Sequence, residues 1–427
     1  MSDQEFPAGQ LTRIAPVANM AGRHFRQVQS STNLRLYLNT RVTKLHYSPA
    51  TTKITGLDVV SGDCARRLTP RLVVICCGGI QTARMLLLMQ QQYPLLWGGP
   101  NGPLGRYYMG HLSGSIARIA FADPQAARTF LYTQDHEGAF RRRQLSPTPQ
   151  VQTRHRLLNM YFSPVSFPLA DPGCKSGALS AMHMALALRH HSVNYMRHYR
   201  PGHVRSAFDF GLNAPAHLAN MLRSPFRTLN GVASVARERL SAKPRPIGFQ
   251  LNNPAGIYAL NFHAEQSPNP ASRVTLSDRR DSDGTPLPHV NLKFADADFS
   301  AVLRGHDLLA DWFAKRGFGK ITYRTEPGQR RAHIQAEARD GFHQMGTVRI
   351  GKLPTTGVID ANLCAFGVSN LFVAGAAVSP IGGQAHPTFT AVSLALRLAD
   401  HLHERSRSAS FMQSERIAAL SGQLPCF

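Results

Sequence analysis

Gly357 to Leu402 reads GVIDANLCAFGVSNLFVAGAAVSPIGGQAHPTFTAVSLALRLADHL. At its centre NLFVAGAAVSP is a short apolar run followed at once by small residues, the pattern of a buried strand entering a tight turn. GGQAHPTFTAVSLALRLADHLHER is then a loop feeding an amphipathic helix, with Val392, Ala395, Leu396, Ala399 and Leu402 along one face. The same order occurs upstream. LVVIC ends at Gly78-Gly79, and IQTARMLLLMQ follows with Ile80, Ala83 and Leu87 at helical spacing. A strand, a glycine turn and a helix let backbone approach a ligand closely, although many α/β proteins contain one such turn.

Outward from these two points the texture varies. The first thirty residues show no clean period. NLRLYL, RVTKLHY, ITGLDVV and LVVIC, between Asn33 and Cys77, read as successive short strands separated by turn formers such as Ser48-Pro49 and Ser61-Gly62-Asp63. From Leu112 to Thr325 there are longer polar stretches and more prolines. HLSGSIARIAF, IGFQLN and IYALNFHAE are expected to form a second, antiparallel sheet. SRVTLSDRRDSDGTPLPHVNLKF reads as strand, turn, strand, with Asp283-Gly284 making the turn. A helix is expected over Asp296 to Arg316, with Phe299, Val302, Leu308, Leu309 and Phe313 inward. The tail after Glu404 is polar and expected to be loosely held.

The bulk numbers exclude several classes. At 427 residues, 43% hydrophobic and 17% charged, the chain has the composition of a folded protein with room for two or three domains. The longest apolar run, Leu72 to Cys77, is far short of a membrane span, and MSDQEFPAGQ lacks the form of a signal peptide. A cytoplasmic location is the default expectation. The six cysteines show no metal-binding spacing and are expected to be buried thiols, so no metal site is expected. The net charge of +23 is spread out, and RHHSVNYMRHYRPGHVR (189–205) is the best candidate for an anionic contact. No nucleic-acid motif accompanies it.

His343 and His386 each sit in a loop of glycines and small residues. An enzyme that oxidises an alcohol must remove a hydroxyl proton as hydride leaves the neighbouring carbon. A neutral imidazole suits that task, and a second one can hold the same oxygen. Two partly buried structural histidines would look the same in sequence, and there are 19 histidines to choose from. No carboxylate or third histidine lies at ligand spacing, and HLSGS is not a nucleophile elbow.

FHQMGTVRIG (342–351) resembles the pattern of a histidine, Gly-Thr and a basic residue found in the glucose–methanol–choline (GMC) family of FAD-dependent oxidoreductases. Gly357 to Leu402 is similar, nearly end to end, to that family's carboxy-terminal block. NPASRV resembles its Asn-Pro-x-Ser-Arg-Val strand, VVICCGGIQTARMLL its cofactor turn, and GRYYMGHL its Gly-Arg-x-x-x-x-His stretch. The resemblance runs from about residue 30 to 405, in order. It implies an α/β fold: a Rossmann-like parallel FAD-binding sheet with an inserted α+β antiparallel-sheet substrate domain. The implied pieces are 1–111 for part of the FAD-binding domain, 112–330 for the substrate domain, 331–405 for the return to the FAD-binding domain and active site, and 406–427 for a tail. It implies hydride transfer from a CH–OH group of an alcohol or sugar to flavin N5, with His343 as base and His386 as the second catalytic position. For the cofactor it implies Val42 at the adenine, Gly78 at the cofactor turn, Gly375 and Ala376 near the pyrophosphate and ribityl chain, and Pro387 and Thr388 beside the isoalloxazine.

One departure stands out. No GxGxxG occurs in the 427 residues, and that motif brings backbone to the dinucleotide pyrophosphate. The FAD-binding sheet is therefore expected to be incomplete at its amino terminus, with a separate chain as the source of the ADP-binding segment. Two other classes stay open on the sequence: a truncated, catalytically inactive homologue, and a basic protein that binds an anionic surface without turnover.

Overall fold

The computed structural model describes residues 5–15, 19–167, 169, 171–188, 207–241, 252–338 and 343–421. The chain divides into two compact units. The first comprises Met1–Leu36, Leu112–Glu265 and Asp296–Arg339, and the second Tyr37–His111, Gln266–Ala295 and Asp340–Phe427. The amino-terminal segment thus belongs with the unit that holds residues 112–265. Gln266–Ala295 returns to the other. The basic stretch 189–205, most of IGFQLN, and Gly341 and Phe342 lie outside the described residues.

The first unit is built on strands of which two, Met160–Val165 and Ile257–Glu265, are buried along almost their whole length. β6 (His111–Phe121), β9 (Met160–Val165), β10 (Ile257–Glu265) and β13 (Gly319–Tyr323) form one sheet in the order β13-β6-β10-β9, with β13–β6 and β10–β9 antiparallel. A second sheet, β1-β8-β7, joins β1 (Gln10–Ile14), β8 (Phe140–Gln144) and β7 (Thr133–Gln134). α1 (Met20–Ser30) is capped by Asn19, whose side chain accepts from the Gly22 amide, and buries none of its residues. α3 (Pro149–His155), α4 (Gly177–Leu188), α5 (Ala207–Leu222), α6 (Pro225–Ser241), α7 (Asp296–Lys315) and α8 (Arg330–Glu337) complete this unit's described helices.

α7 (Asp296–Lys315) ends within a residue of the sequence expectation. Asp296 and Asp298 oppose the helix dipole in its first turn, and Phe299, Val302, Leu309 and Phe313 are buried. Gly305 permits close approach to β9, because a Cβ there would run into Met160 Sδ and come within 3.3 Å of the Phe162 ring.

His306, one residue on, is fully buried, with Phe162 and Phe262 standing edge-on at centroid distances of 4.8 and 5.3 Å. Its Nδ1 lies 2.8 Å from the Val302 carbonyl and therefore donates to it. Burial pushes its pKa down to about 4. The unfolded chain protonates this group near 6.5 and the folded chain does not. The penalty is absent above that pH and grows as pH falls toward the folded value. Acidification from about pH 7 to about pH 5 is expected to cost about 2 kcal/mol through this group. His306→Leu should flatten that part of the pH dependence of the melting temperature. A variant that loses as many degrees as wild type between those pH values would remove His306 as the cause.

In the second unit, β2 (Arg41–Ser48), β3 (Lys53–Ser61) and β4 (Cys64–Leu68) form an antiparallel meander. β11 (Arg273–Arg280) and β12 (Pro286–Asn291) form a hairpin, and the Gly284 amide closes its turn on the Asp281 carbonyl at 3.0 Å. β5 (Val73–Ile75) runs into α2 (Gly78–Gln92) and pairs in parallel with β14 (Leu371–Val373), with Leu371 opposite Val73 and Val373 opposite Ile75. α9 (Thr388–Ser421) follows. Ile54, Leu86, Val348, Ile359, Phe372 and Val378 anchor one core shared by these elements. The fold is thus mixed α/β, with parallel strands in one unit and the larger antiparallel sheet in the other. No described helix is long and apolar enough to cross a membrane.

Four local expectations are corrected. NLRLYL forms no strand, and Leu38 is 71% exposed. β propensity is realised only against a neighbouring strand and a half-buried face, and this segment acquires neither among the described residues. Cys64, Cys76 and Cys77 are exposed rather than buried. β5 ends at Ile75 and pairs only with β14 among the described residues, which leaves the following residues uncovered. On α9 the inward stripe is Leu394, Leu398 and Leu402, while Val392 and Leu396 face outward with Phe389, which is 83% exposed. The first turns of α9 are apolar on more than one side, so periodicity alone could not choose the face. The segment after Glu404 continues as helix to Ser421 rather than as a loose tail.

Candidate active site

Residues 343–350 form a strap that ties the second unit's loops together. The Met345 and Met109 backbones exchange hydrogen bonds at 2.9 and 3.0 Å. Gly346 follows with φ +83°, where an added Cβ would also strike the Tyr107 carbonyl. Thr347 Oγ1 donates to the Gly79 carbonyl at 2.7 Å. The amides of Val348 and Ile350 donate to Ala377 and Val378 at 3.0 and 2.9 Å. Gly79 lies against this strap so closely that a Cβ would fall 2.8 Å from Gln344 Cβ and 2.9 Å from its carbonyl carbon. The two glycine turns singled out in the sequence are therefore held to one segment, and His343 opens it.

Three histidines stand in a row at that opening. His343 Nδ1 is 2.9 Å from His111 Nδ1, and His343 Nε2 is 2.9 Å from His386 Nδ1. His111 Nε2 lies 3.0 Å from the Gly383 carbonyl. Exposure rises along the row: His111 is buried, His343 half-buried and His386 exposed. Burial, then the neighbouring His343, pushes the His111 pKa down to about 3 against the raising effect of the Gly383 hydrogen bond. The group is thus uncharged at neutral pH. His111 is not among the residues expected from the sequence, although it closes the Gly-Arg-x-x-x-x-His stretch. That stretch was the one available signal.

The other expected residues fall into two groups. Gly78 and Gly375 sit at the carboxyl ends of the parallel strands β5 and β14, where the Ala374 amide donates to the Ile75 carbonyl at 3.0 Å. Their φ values are +73° and +116°, and a Cβ on either would meet nothing within 4 Å. Cys77 provides no side-chain cap for the α2 amino terminus. Ala376 begins a 3₁₀ turn after Gly375. Pro387 and Thr388 open α9, where the Ala391 amide donates to the Pro387 carbonyl at 2.9 Å. Val42 is apart, on the meander, with its backbone opposite Val59 beside a bulge between Val42 and Lys44. It packs against the shared core.

Residues 268–395 match a family model described as GMC oxidoreductase. His343, Gly375, Ala376, His386, Pro387 and Thr388 all fall inside that span, whereas Val42, Gly78 and His111 precede it. The 2-methyl-1,2-propanediol dehydrogenase of Mycolicibacterium austroafricanum is 30% identical over 142 residues, which is 33% of this chain and 24% of that protein. Similar solved structures include pyridoxine 4-oxidase from Mesorbium loti, at 16% identity and TM-score 0.47, covering 89% of this chain and 60% of that one. An FAD-dependent oxidoreductase from Chaetomium thermophilum is 14% identical with TM-score 0.48, covering 91% and 64%. The chain thus spans less than two thirds of the length of each of these relatives. Over residues 268–395, the chain is thus similar to the GMC oxidoreductase family.

Proposed function

We propose that this chain carries the proton-handling part of an FAD-dependent oxidoreductase acting on a CH–OH group of an alcohol or sugar, with His343 as the general base. The observation that carries the reading is the 2.9 Å contact of His343 Nε2 with His386 Nδ1, two imidazoles 43 positions apart. Bound FAD would supply the hydride acceptor. The chain's own part is the proton: with the substrate hydroxyl taking the place of His386 Nδ1 at His343 Nε2, that nitrogen takes the hydroxyl proton, and His386 donates to the same oxygen instead of to His343. An imidazole can both accept a proton at one nitrogen and donate a hydrogen bond from the other, which suits it to both tasks.

The residues at the ends of β5 and β14 fit a dinucleotide. Two parallel strand ends, bare glycine backbone facing open space and a helix amino terminus without a side-chain cap form a place where phosphate can meet N–H groups. In this reading Gly78, Gly375 and Ala376 would hold the pyrophosphate and ribityl region, Pro387 and Thr388 the isoalloxazine, and the Val42 backbone the adenine. The GxGxxG contribution is absent from these 427 residues and would have to come from outside them.

The test is the visible spectrum of the purified chain before and after incubation with excess FAD and desalting. Retained absorbance with resolved flavin bands is expected. A colourless product after desalting would sink the reading for this chain on its own.

A further inference from the structure

We propose that His111 is a positioning residue that sets the tautomer of His343, so that the base nitrogen of His343 is Nε2 and its Nδ1 carries the proton. A carbonyl oxygen only accepts, so the 3.0 Å contact with Gly383 makes His111 Nε2 a donor. A neutral imidazole has one N–H, so His111 Nδ1 is then an acceptor. The group 2.9 Å away is His343 Nδ1, which must donate to it. With its single hydrogen on Nδ1, neutral His343 presents a lone pair at Nε2. That lone pair faces His386 Nδ1 at 2.9 Å, which must in turn donate. One backbone carbonyl thereby fixes the hydrogen positions of three rings.

The alternative would be a protonated His111 that donates from both nitrogens and reverses the row. Full burial opposes that charge, as does the proximity of His343 and His386. Two backbone features hold the anchor in place. Gly383 has φ +63° in the loop before His386, and the Met109 backbone, two residues before His111, is bonded to Met345 on the strap. The row runs from a buried inner end to an exposed outer end, and a hydrogen-bonded second residue orients a histidine whose other nitrogen reacts.

This inference rests on the proposed function only for the use of the Nε2 lone pair. The tautomer itself can be read without FAD or substrate. In protein labelled with ¹⁵N-histidine, long-range ¹H–¹⁵N correlation at about pH 8, well above the unperturbed histidine pKa, distinguishes the two neutral tautomers. His343→Asn identifies the His343 signals. His343 is expected to carry its proton on Nδ1 in the wild type and in His111→Asn, whose Oδ1 can still accept. In His111→Phe, similar in shape but without an acceptor, the proton is expected to move to Nε2. A wild-type His343 protonated on Nε2 would overturn the proposal. So would a His111→Phe protein still protonated on Nδ1, or a His111→Asn protein behaving like the Phe variant. If His111→Phe does not fold, the wild type and the Asn variant decide. A protein that shows the expected tautomers but never reduces flavin would instead count against the proposed function.

Discussion

His343→Ala, in protein loaded with FAD, is expected to slow substrate-dependent flavin reduction by on the order of a hundredfold or more while leaving the thermal melt close to that of wild type. The loss follows from chemistry: alanine has no nitrogen to take the hydroxyl proton, and a water molecule in place of the imidazole is a much weaker base. The melt should change little because His343 is half-buried and its ring is held by hydrogen bonds to other imidazoles rather than by the core. His386→Asn, which keeps an amide for the substrate oxygen, is expected to lose less than His386→Ala. Stopped-flow reduction read at the flavin bands checks both. Unchanged reduction kinetics in His343→Ala would remove this residue from the mechanism.

The second large effect is expected at a residue with no side chain. Gly79→Ala places a methyl against the Gln344 carbonyl oxygen and within 2.9 Å of its carbonyl carbon. Alanine in the first turn of α2 would by itself favour the helix by up to ~1 kcal/mol. The clash outweighs that gain. The neighbour is backbone, held on one side by Thr347 Oγ1 on the Gly79 carbonyl and on the other by the Met345–Met109 pair, so it has little room to yield. A net loss of about 1–3 kcal/mol is expected, read as several degrees of melting temperature. Because Gln344 adjoins His343, flavin reduction should fall as well. Gly78→Ala provides the comparison: its Cβ meets open space, and its cost is the backbone strain of φ +73°, about 1–2 kcal/mol. A Gly79→Ala protein as stable as wild type would mean that the strap does not press on α2.

The contrast between neighbouring glycines shows what a single chain read in order leaves out. Gly78-Gly79 is visible in the sequence as a turn between strand and helix. That Gly78 faces open space while Gly79 faces the strap depends on residues 344–347, more than 260 positions away, which no local period reports. The same holds for the helix that opens at Thr388. Its existence follows from apolar spacing, but of the expected stripe Val392, Ala395, Leu396, Ala399 and Leu402 only Leu402 turns to the core, where it joins Leu394 and Leu398. With apolar residues on more than one side, only the position of the core selects the face. Cys76 and Cys77 err in the same direction: an apolar run suggests burial, but burial requires a second layer that β5 does not have among the described residues.

What the sequence determined by itself is therefore what local physics controls. The strands RVTKLHY, HLSGSIARIAF and IYALNFHAE, the Asp283-Gly284 turn, the helix that begins at Asp296 and the two strand–glycine–helix units were all legible. Alternation, left-handed glycines and helical periods act over a few residues. The pairing of His343 with His386 was legible as a shared kind of loop, and their distance was not. The tertiary structure alone decided that the two lie 2.9 Å apart, that His111 from the start of β6 stands behind them, and that the Gly383 carbonyl closes the row. The reason is that a hydrogen bond between side chains depends on where three distant backbones cross, and that crossing is fixed by the packing of the whole unit rather than by the residues that profit from it.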